Sequence, residues 1–129
     1  MNKAINLEIR NSIQHCLDNN VGLCRGAWFC FDADGKVYSC DALGAVLISN
    51  SLLPSGIGLD PAALEYPGFT RSIAKVLNVD PWWVHRFHHG WDCSNVITFM
   101  DKRGDEWIES SRDDVSAYAL QLYREYFKR

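Results

Sequence analysis

The stretch AWFCFDADGKVYSCDALGAVLIS, residues 27–49, decides the fold class of this chain. It opens with an aromatic run that is typical of a strand, turns at Asp32-Ala33-Asp34-Gly35, and returns through a second strand at residues 36–39. Asp41 then stands where it can cap a short helix from Ala42 to Ser49, in which almost every residue is apolar. The stretch therefore predicts a β-hairpin that leads directly into a buried helix.

Two longer helices are predicted outside this stretch. Residues 2–19 place Ile5, Ile9 and Ile13 at helical spacing, with polar residues between them. The segment that starts at Ser110 begins with capping and acidic residues and continues in an amphipathic pattern to the last residues. We therefore expect one helix near each end of the chain.

The middle of the chain predicts more helix and a second hairpin. Helices are expected at residues 70–77 and 81–90, with a further helical turn starting at Asp60-Pro61, and a second hairpin is expected over residues 95–108. The predicted fold class is α+β, a small antiparallel sheet built from two β-hairpins and packed against the N- and C-terminal helices, with a central helical hairpin. At 129 residues, the chain 1–129 is expected to form a single domain.

Composition narrows the function classes. Hydrophobic content of 47% and charged content of 22% are ordinary for a globular protein, and the net charge of −3 includes no long run of either sign. A phosphate-binding surface usually shows a basic stripe, so nucleic acid is disfavoured as a partner. Five irregularly spaced cysteines and the lack of a long apolar run predict reduced thiols in a soluble, cytoplasmic protein that contacts no membrane. We expect no cofactor, because no phosphate loop or dinucleotide fingerprint occurs.

One segment, SIAKVLNVDPWWVHRFHHG (residues 72–90), resembles the helix-turn-helix family. That family places a small residue in its first helix, here Ala74, and a residue that accepts the turn four positions later, here Asn78. The apolar positions of the family pattern are occupied by Ile73, Leu77, Val79, Val84 and Phe87. The resemblance implies two crossing helices, the second of which would enter the major groove of DNA.

The predicted second helix supplies the candidate binding residues. If Val84 and Phe87 point inward, helical spacing directs a different set of side chains outward. The candidate partner-binding residues are Trp82, His85, Arg86, His89 and Trp91. Trp and Arg are enriched at binding hot spots, so this surface favours a protein partner.

Three functions remain open on the sequence alone. The leading hypothesis is a small non-catalytic protein-binding module, such as an inhibitor, immunity-type protein, adaptor or regulator. The second is a helix-turn-helix DNA-binding regulator. The third is a small Cys/His enzyme or metal-binding protein, using Cys40 or Cys93 as a thiol or His85 and His89 as paired ligands. Neither a catalytic residue nor a complete set of metal ligands can be assigned.

Overall fold

The computed structural model describes residues 2–53, 57, 68–100 and 114–127, and for residues 93–100 it describes the backbone. The elements are α1 (Lys3–Asp18), β1 (Gly22–Leu23), β2 (Phe29–Phe31), β3 (Val37–Cys40), α2 (Ala42–Ser49), α3 (Gly68–Leu77), α4 (Pro81–Met100) and α5 (Asp114–Phe127). Helices together with a small mixed sheet confirm the predicted α+β class. Contacts divide the chain into two compact units, residues 2–79 and residues 80–129. The single-domain assignment stays a prediction.

The sheet lies in the unit of residues 2–79 and has the strand order β1-β3-β2. Strand β2 is antiparallel to β3, with Cys30 opposite Ser39, which confirms the first hairpin. Strand β1 is parallel to β3, with Gly22 opposite Ser39, so the sheet is mixed rather than antiparallel. The prediction missed β1 because a two-residue strand is too short to show the alternation that identifies a strand.

The hairpin turn is held by one carboxylate. Asp32 Oδ1 accepts hydrogen bonds from the backbone N–H groups of Asp34 at 2.9 Å and Lys36 at 3.0 Å. Gly35 adopts a φ of 77°, which a glycine reaches without steric cost. These local interactions explain why the Asp-x-x-Gly signature located the turn correctly.

Helices α1 and α2 pack antiparallel, since contacts nearer the end of α1 involve residues nearer the start of α2. The hydroxyls of Ser12 and Ser49 are 2.7 Å apart, and the Cys16 thiol lies 3.9 Å from the Ala45 carbonyl oxygen. Helix α2 begins at the predicted cap, where Asp41 Oδ1 accepts from the N–H of a residue in its first turn. The largest buried side chains of this unit are Ile9, Ile13, Phe29, Leu43, Leu47 and Ile73.

The unit of residues 80–129 contains α4 and α5. Helix α4 was expected to end at Gly90, but it continues to Met100, so residues 95–100 form helix rather than the first strand of a second hairpin. A glycine costs an exposed helix about 1 kcal/mol relative to alanine, and that cost does not end a helix whose glycine packs closely against a neighbour. The run of β-branched residues at 96–98 favoured a strand and was misleading, because short apolar runs fit either structure.

The remaining predictions concern the C-terminal helix and segments on either side of α4. The C-terminal helix is confirmed as α5, whose buried residues are Ser116, Ala119 and Leu122. The helical turn at Asp60-Pro61, residues 101–108 of the second hairpin and the cap at residues 110–113 lie outside the described residues. Within the part of the chain that the structure describes, no helix combines the length and the hydropathy needed to cross a bilayer.

Candidate binding face on helix α4

Helix α4 begins with a capped first turn. Asp80 Oδ1 accepts a hydrogen bond of 2.9 Å from the backbone N–H of Trp83, and Pro81 occupies the first helical position. This is the arrangement of an N-cap, in which a side-chain oxygen satisfies an N–H that has no partner within the helix. The cap fixes where α4 begins, whereas the helical period and the packing against α5 decide which side chains face inward.

The inward face of α4 is aromatic and aliphatic. Val84, Phe87 and Trp91 each have 0% of their surface exposed. The ring of Phe87 stacks on Trp83 at a centroid distance of 5.5 Å and on Trp91 at 6.2 Å. Recurrence at three and four residues puts these side chains on one stripe, so the predicted inward positions Val84 and Phe87 are confirmed.

Helix α5 supplies the other half of this aromatic core. Trp91 makes edge-to-face contacts with Tyr123 at 5.5 Å and with Phe127 at 6.0 Å. The rings of Tyr123 and Phe127 stack on each other at 4.4 Å, and Tyr118 contacts Phe87 at 6.1 Å. Aromatic pairs at these distances add about 0.5–1.5 kcal/mol each beyond the area that they bury. Trp91 is therefore the central core residue of this helix pair.

The two helices approach each other closely at Gly90. A β-carbon at position 90 would overlap the backbone carbonyl of Ser116. The Ser116 hydroxyl donates a 3.1 Å hydrogen bond to the backbone carbonyl of Arg86, one turn earlier in α4. Gly90 and Ser116 are thus a contact of small residues that brings the backbones of α4 and α5 together. Gly90 was expected at a helix end, and its contact with Ser116 was not predicted.

The opposite side of the helix is named here the exposed α4 face and consists of Trp82, His85 and Arg86, with half-buried His89 at its edge. Trp82 has 65% of its surface exposed, although it is one of the largest apolar side chains in the chain. Its indole makes an edge-to-face contact with the imidazole of His85 at a centroid distance of 5.7 Å. The face therefore combines a large apolar group, two hydrogen-bonding rings and one permanent positive charge.

Trp91 has to be removed from the predicted set of binding residues. It was grouped with Trp82 and His89, but its full burial among Phe87, Tyr123 and Phe127 leaves it no surface for a partner. The prediction failed because it ended the helix at Gly90, one residue before Trp91. In the continuous helix, Trp91 lies one turn after Phe87 and shares its buried stripe.

The metal and thiol hypotheses gain no geometric support. Among the side chains described, no group of three or more His, Cys, Asp or Glu residues is arranged to hold a metal ion. Cys40 has 0% exposure, and the neighbouring thiol of Cys16 together with burial raises the pKa of Cys40. A neutral, inaccessible thiol is a poor nucleophile. The side chain of Cys93 lies outside the described part of the chain.

A groove in the unit of residues 2–79 is a second candidate for a functional site. Its volume is about 430 Å³, and it is lined by α1, the end of α2 and the end of α3. Its lining includes Asn2, Ile5, Glu8, Asn50 and Asn78. The carboxylate of Glu8 accepts a 2.9 Å hydrogen bond from the Asn50 amide. One carboxylate bonded to an amide does not make the acid–base pair that a hydrolytic site needs, so the exposed α4 face remains the stronger candidate.

Comparison with known proteins finds no match among protein-family models, curated proteins or solved structures. At the end of α3, Asn78 adopts a φ of 55° and the N–H of Val79 bonds to the Ala74 carbonyl at 2.9 Å, an arrangement common to many helix C-termini. The helix-turn-helix resemblance stays a prediction. Helices α3 and α4 belong to different compact units, and the helix crossing that the motif requires stays a prediction.

Proposed function

We propose that this protein is a small non-catalytic module that binds another protein through the exposed α4 face. The observation that carries the proposal is the 65% exposure of Trp82 on a helix whose opposite side is a filled aromatic core. Val84, Phe87 and Trp91 already supply the apolar stripe that folding of this helix pair requires, so Trp82 is not needed for the core. A large indole that is exposed to solvent beside His85 and Arg86 has the composition typical of a binding hot spot.

The chemistry of the face indicates an acidic partner surface. Arg86 is always charged and presents a planar fork of donors, which pairs best with a carboxylate. His85 is exposed beside it and adds a ring that can donate a hydrogen bond. The expected partner surface has a pocket for the Trp82 indole, with an Asp or Glu side chain next to that pocket. The proposal covers an inhibitor, an immunity-type protein, an adaptor or a regulator.

Affinity capture with a matched control tests the proposal. Proteins captured from extracts of the native cell by the wild-type chain are compared with those captured by Trp82→Ala and by Tyr38→Ala. Tyr38 is the control because it is an aromatic residue with 56% exposure in the other compact unit. We expect at least one protein to be retained by the wild type and by Tyr38→Ala and lost with Trp82→Ala.

Titration with that purified protein then gives the size of the effect. Truncation of a hot-spot residue costs about 1 kcal/mol or more, which corresponds to roughly fivefold weaker binding. We expect this loss for Trp82→Ala and for Arg86→Ala. A partner whose affinity is unchanged by both substitutions would bind elsewhere, and the proposal would be wrong.

A second candidate is DNA binding by the segment of residues 72–90, favoured by the left-handed Asn78 at the turn between α3 and α4. The net charge of −3 and the single arginine of the exposed α4 face oppose it, because each phosphate contact needs a positive partner. Submicromolar binding to a selected duplex, weakened by salt and lost with Arg86→Ala, would establish this candidate in place of the first.

A further inference from the structure

The cysteines of the unit of residues 2–79 form two pairs in contrasting environments. Cys16 and Cys40 are fully buried, whereas Cys24 and Cys30 are only half-buried, and none of these four cysteines is in a disulfide. The Cys30 thiol donates to the sulfur of Cys24 at a distance of 3.7 Å. The two pairs differ in solvent access, so their reactivity should differ as well.

Sheet geometry places the two pairs on opposite faces of the sheet. Cys30 lies opposite Ser39, and Phe29 lies opposite Cys40 in the same ladder. Because successive side chains alternate between faces, Cys30 shares a face with Ser39 while Cys40 points to the other side. Cys24 contacts Ser39 and Cys30, which puts it on the Ser39 face. The partly exposed thiols are therefore separated from the buried pair by the backbone of β3.

The chain between the two half-buried thiols, Cys24 and Cys30, crosses the end of β3. Backbone hydrogen bonds to β3 and to the residue after it hold the chain on both sides of the crossing. The N–H of Cys24 donates to the Cys40 carbonyl at 2.8 Å, and the N–H of Asp41 donates to the Trp28 carbonyl at 3.0 Å. Between these anchors, Gly26 has a φ of 85°, and a side chain placed there would meet open space. The crossing segment thus takes a left-handed turn at Gly26, a conformation that glycine adopts without steric cost.

We propose that Cys24 and Cys30 form a reversible oxidation site that closes an intramolecular disulfide by exchange with a small disulfide such as oxidised glutathione. The two sulfur atoms must approach from 3.7 Å to a bond length of about 2.05 Å, which requires Cys24 and Cys30 to move toward each other across β3. Cys16 and Cys40 are excluded because no oxidant reaches a thiol with 0% exposure.

The reaction balances in two exchange steps. The Cys30 thiolate attacks one sulfur of oxidised glutathione, breaks its S–S bond and releases the first glutathione as a thiol. The Cys24 thiolate then attacks the Cys30 sulfur of the mixed disulfide and releases the second glutathione. The protein loses two protons and two electrons, and both are recovered in the two glutathione thiols.

The environments of the two thiols assign their roles. Burial raises the pKa of Cys24 to about 12, so only a small fraction of that thiol is ionised at neutral pH. The thiolate is the attacking species, so attack by Cys24 is slow at neutral pH, which suits Cys24 to the second, intramolecular step, where its target sulfur is held close by. Ring closure should therefore become faster as the pH rises, because the ionised fraction of Cys24 increases.

The site is tested on the full chain equilibrated with mixtures of reduced and oxidised glutathione and then quenched by alkylation. Formation of the disulfide removes two hydrogen atoms from the intact mass. Trypsin cuts after Arg25, so the expected bond joins two peptides, one containing Cys24 and the other Cys30. Because Cys16 lies on the same tryptic peptide as Cys24, Cys16→Ala is the control and should form the linked peptides as the wild type does.

Replacing each cysteine of the pair in turn separates the two roles, first attack on glutathione and closure of the disulfide. Cys24→Ser should accumulate a mixed disulfide between glutathione and Cys30. Cys30→Ser should form neither the linked peptides nor, to a comparable extent, a glutathione adduct at Cys24. In urea, where packing is lost, additional links to Cys16 and Cys40 should appear. Failure of the folded wild type to form the linked peptides would overturn the proposal. Glutathione attached mainly to Cys24 in the Cys30→Ser variant would overturn the assigned order of attack.

Discussion

Trp82 and Trp91 lie on the same helix and have opposite surroundings. Trp82 is 65% exposed and has the imidazole of His85 as its ring partner, whereas Trp91 is 0% exposed and contacts Phe87, Tyr123 and Phe127. The residue type is identical, so residue type cannot explain the difference. Position around the helix axis does, because Trp91 shares with Val84 and Phe87 the stripe that faces α5, whereas Trp82 lies on the other side of the helix.

Within a short segment of α4, the residues that stabilise the fold and the residues that are candidates for binding lie on different sides of the helix. The stripe of Val84, Phe87 and Trp91 is filled and completely buried, which is what a helix pair requires for stability. The exposed α4 face leaves a large apolar side chain in contact with water, at a site where the core gains nothing from it. Substitutions in the buried stripe should consequently lower stability, whereas substitutions on the exposed α4 face should lower the affinity for a partner.

The largest expected effect is the loss of stability in Trp91→Ala. Removal of a fully buried indole eliminates its contacts with Tyr123 and Phe127 and leaves a cavity, which typically costs about 3–5 kcal/mol for a Phe or Trp truncated to Ala. Phe87→Ala should cost a similar amount. Urea unfolding followed by circular dichroism measures both, and a wild-type midpoint for Trp91→Ala would contradict the burial of this side chain.

Gly90→Ala is expected to have an intermediate effect, and its sign is informative. Helix propensity alone predicts stabilisation by about 1 kcal/mol, since alanine is the better helix former. The overlap of a new β-carbon with the Ser116 carbonyl predicts the reverse, a loss of about 1–3 kcal/mol, as is usual when a packed contact receives an extra group. We expect destabilisation, measured as a lower urea midpoint.

A calibrating substitution accompanies Gly90→Ala. Ala117 is exposed on α5, so Ala117→Gly changes propensity without changing packing and should cost about 1 kcal/mol. If Gly90→Ala instead stabilises the protein by the amount that Ala117→Gly destabilises it, the close approach of α4 and α5 at Gly90 does not exist.

The sequence predicted well those features that depend on neighbouring residues. The Asp32 turn, the Asp41 cap and the inward positions Val84 and Phe87 are local in origin, and the structure confirms them. Features set by contacts distant in sequence were missed. Strand β1 exists through its pairing with β3, and the helix passes through Gly90 against a backbone carbonyl of α5.

The candidate site divides in the same way. Trp82, His85 and Arg86 were placed on the exposed side by helical spacing alone, and their exposure is observed. Trp91 was misplaced because its environment depends on α5, which contributes Tyr123 and Phe127 from a distant part of the sequence. The Cys24–Cys30 pair was also missed, since its two thiols meet only after the chain has crossed the end of β3.

The smallest expected effect on stability is that of Trp82→Ala. The variant loses the edge-to-face contact with His85 and a minor buried fraction of the indole, while alanine contributes better helix propensity at the same position. These changes oppose each other, so the free energy of unfolding should stay within about 0.5 kcal/mol of the wild-type value, as at other exposed sites. The measurement is the urea midpoint, compared directly with that of Trp91→Ala in the same buffer. A loss comparable to that of Trp91→Ala would mean that Trp82 belongs to the core, and the exposed α4 face would then lose its main binding residue. A wild-type midpoint combined with weaker partner binding would show that one helix carries its structural and binding tryptophans on separate faces.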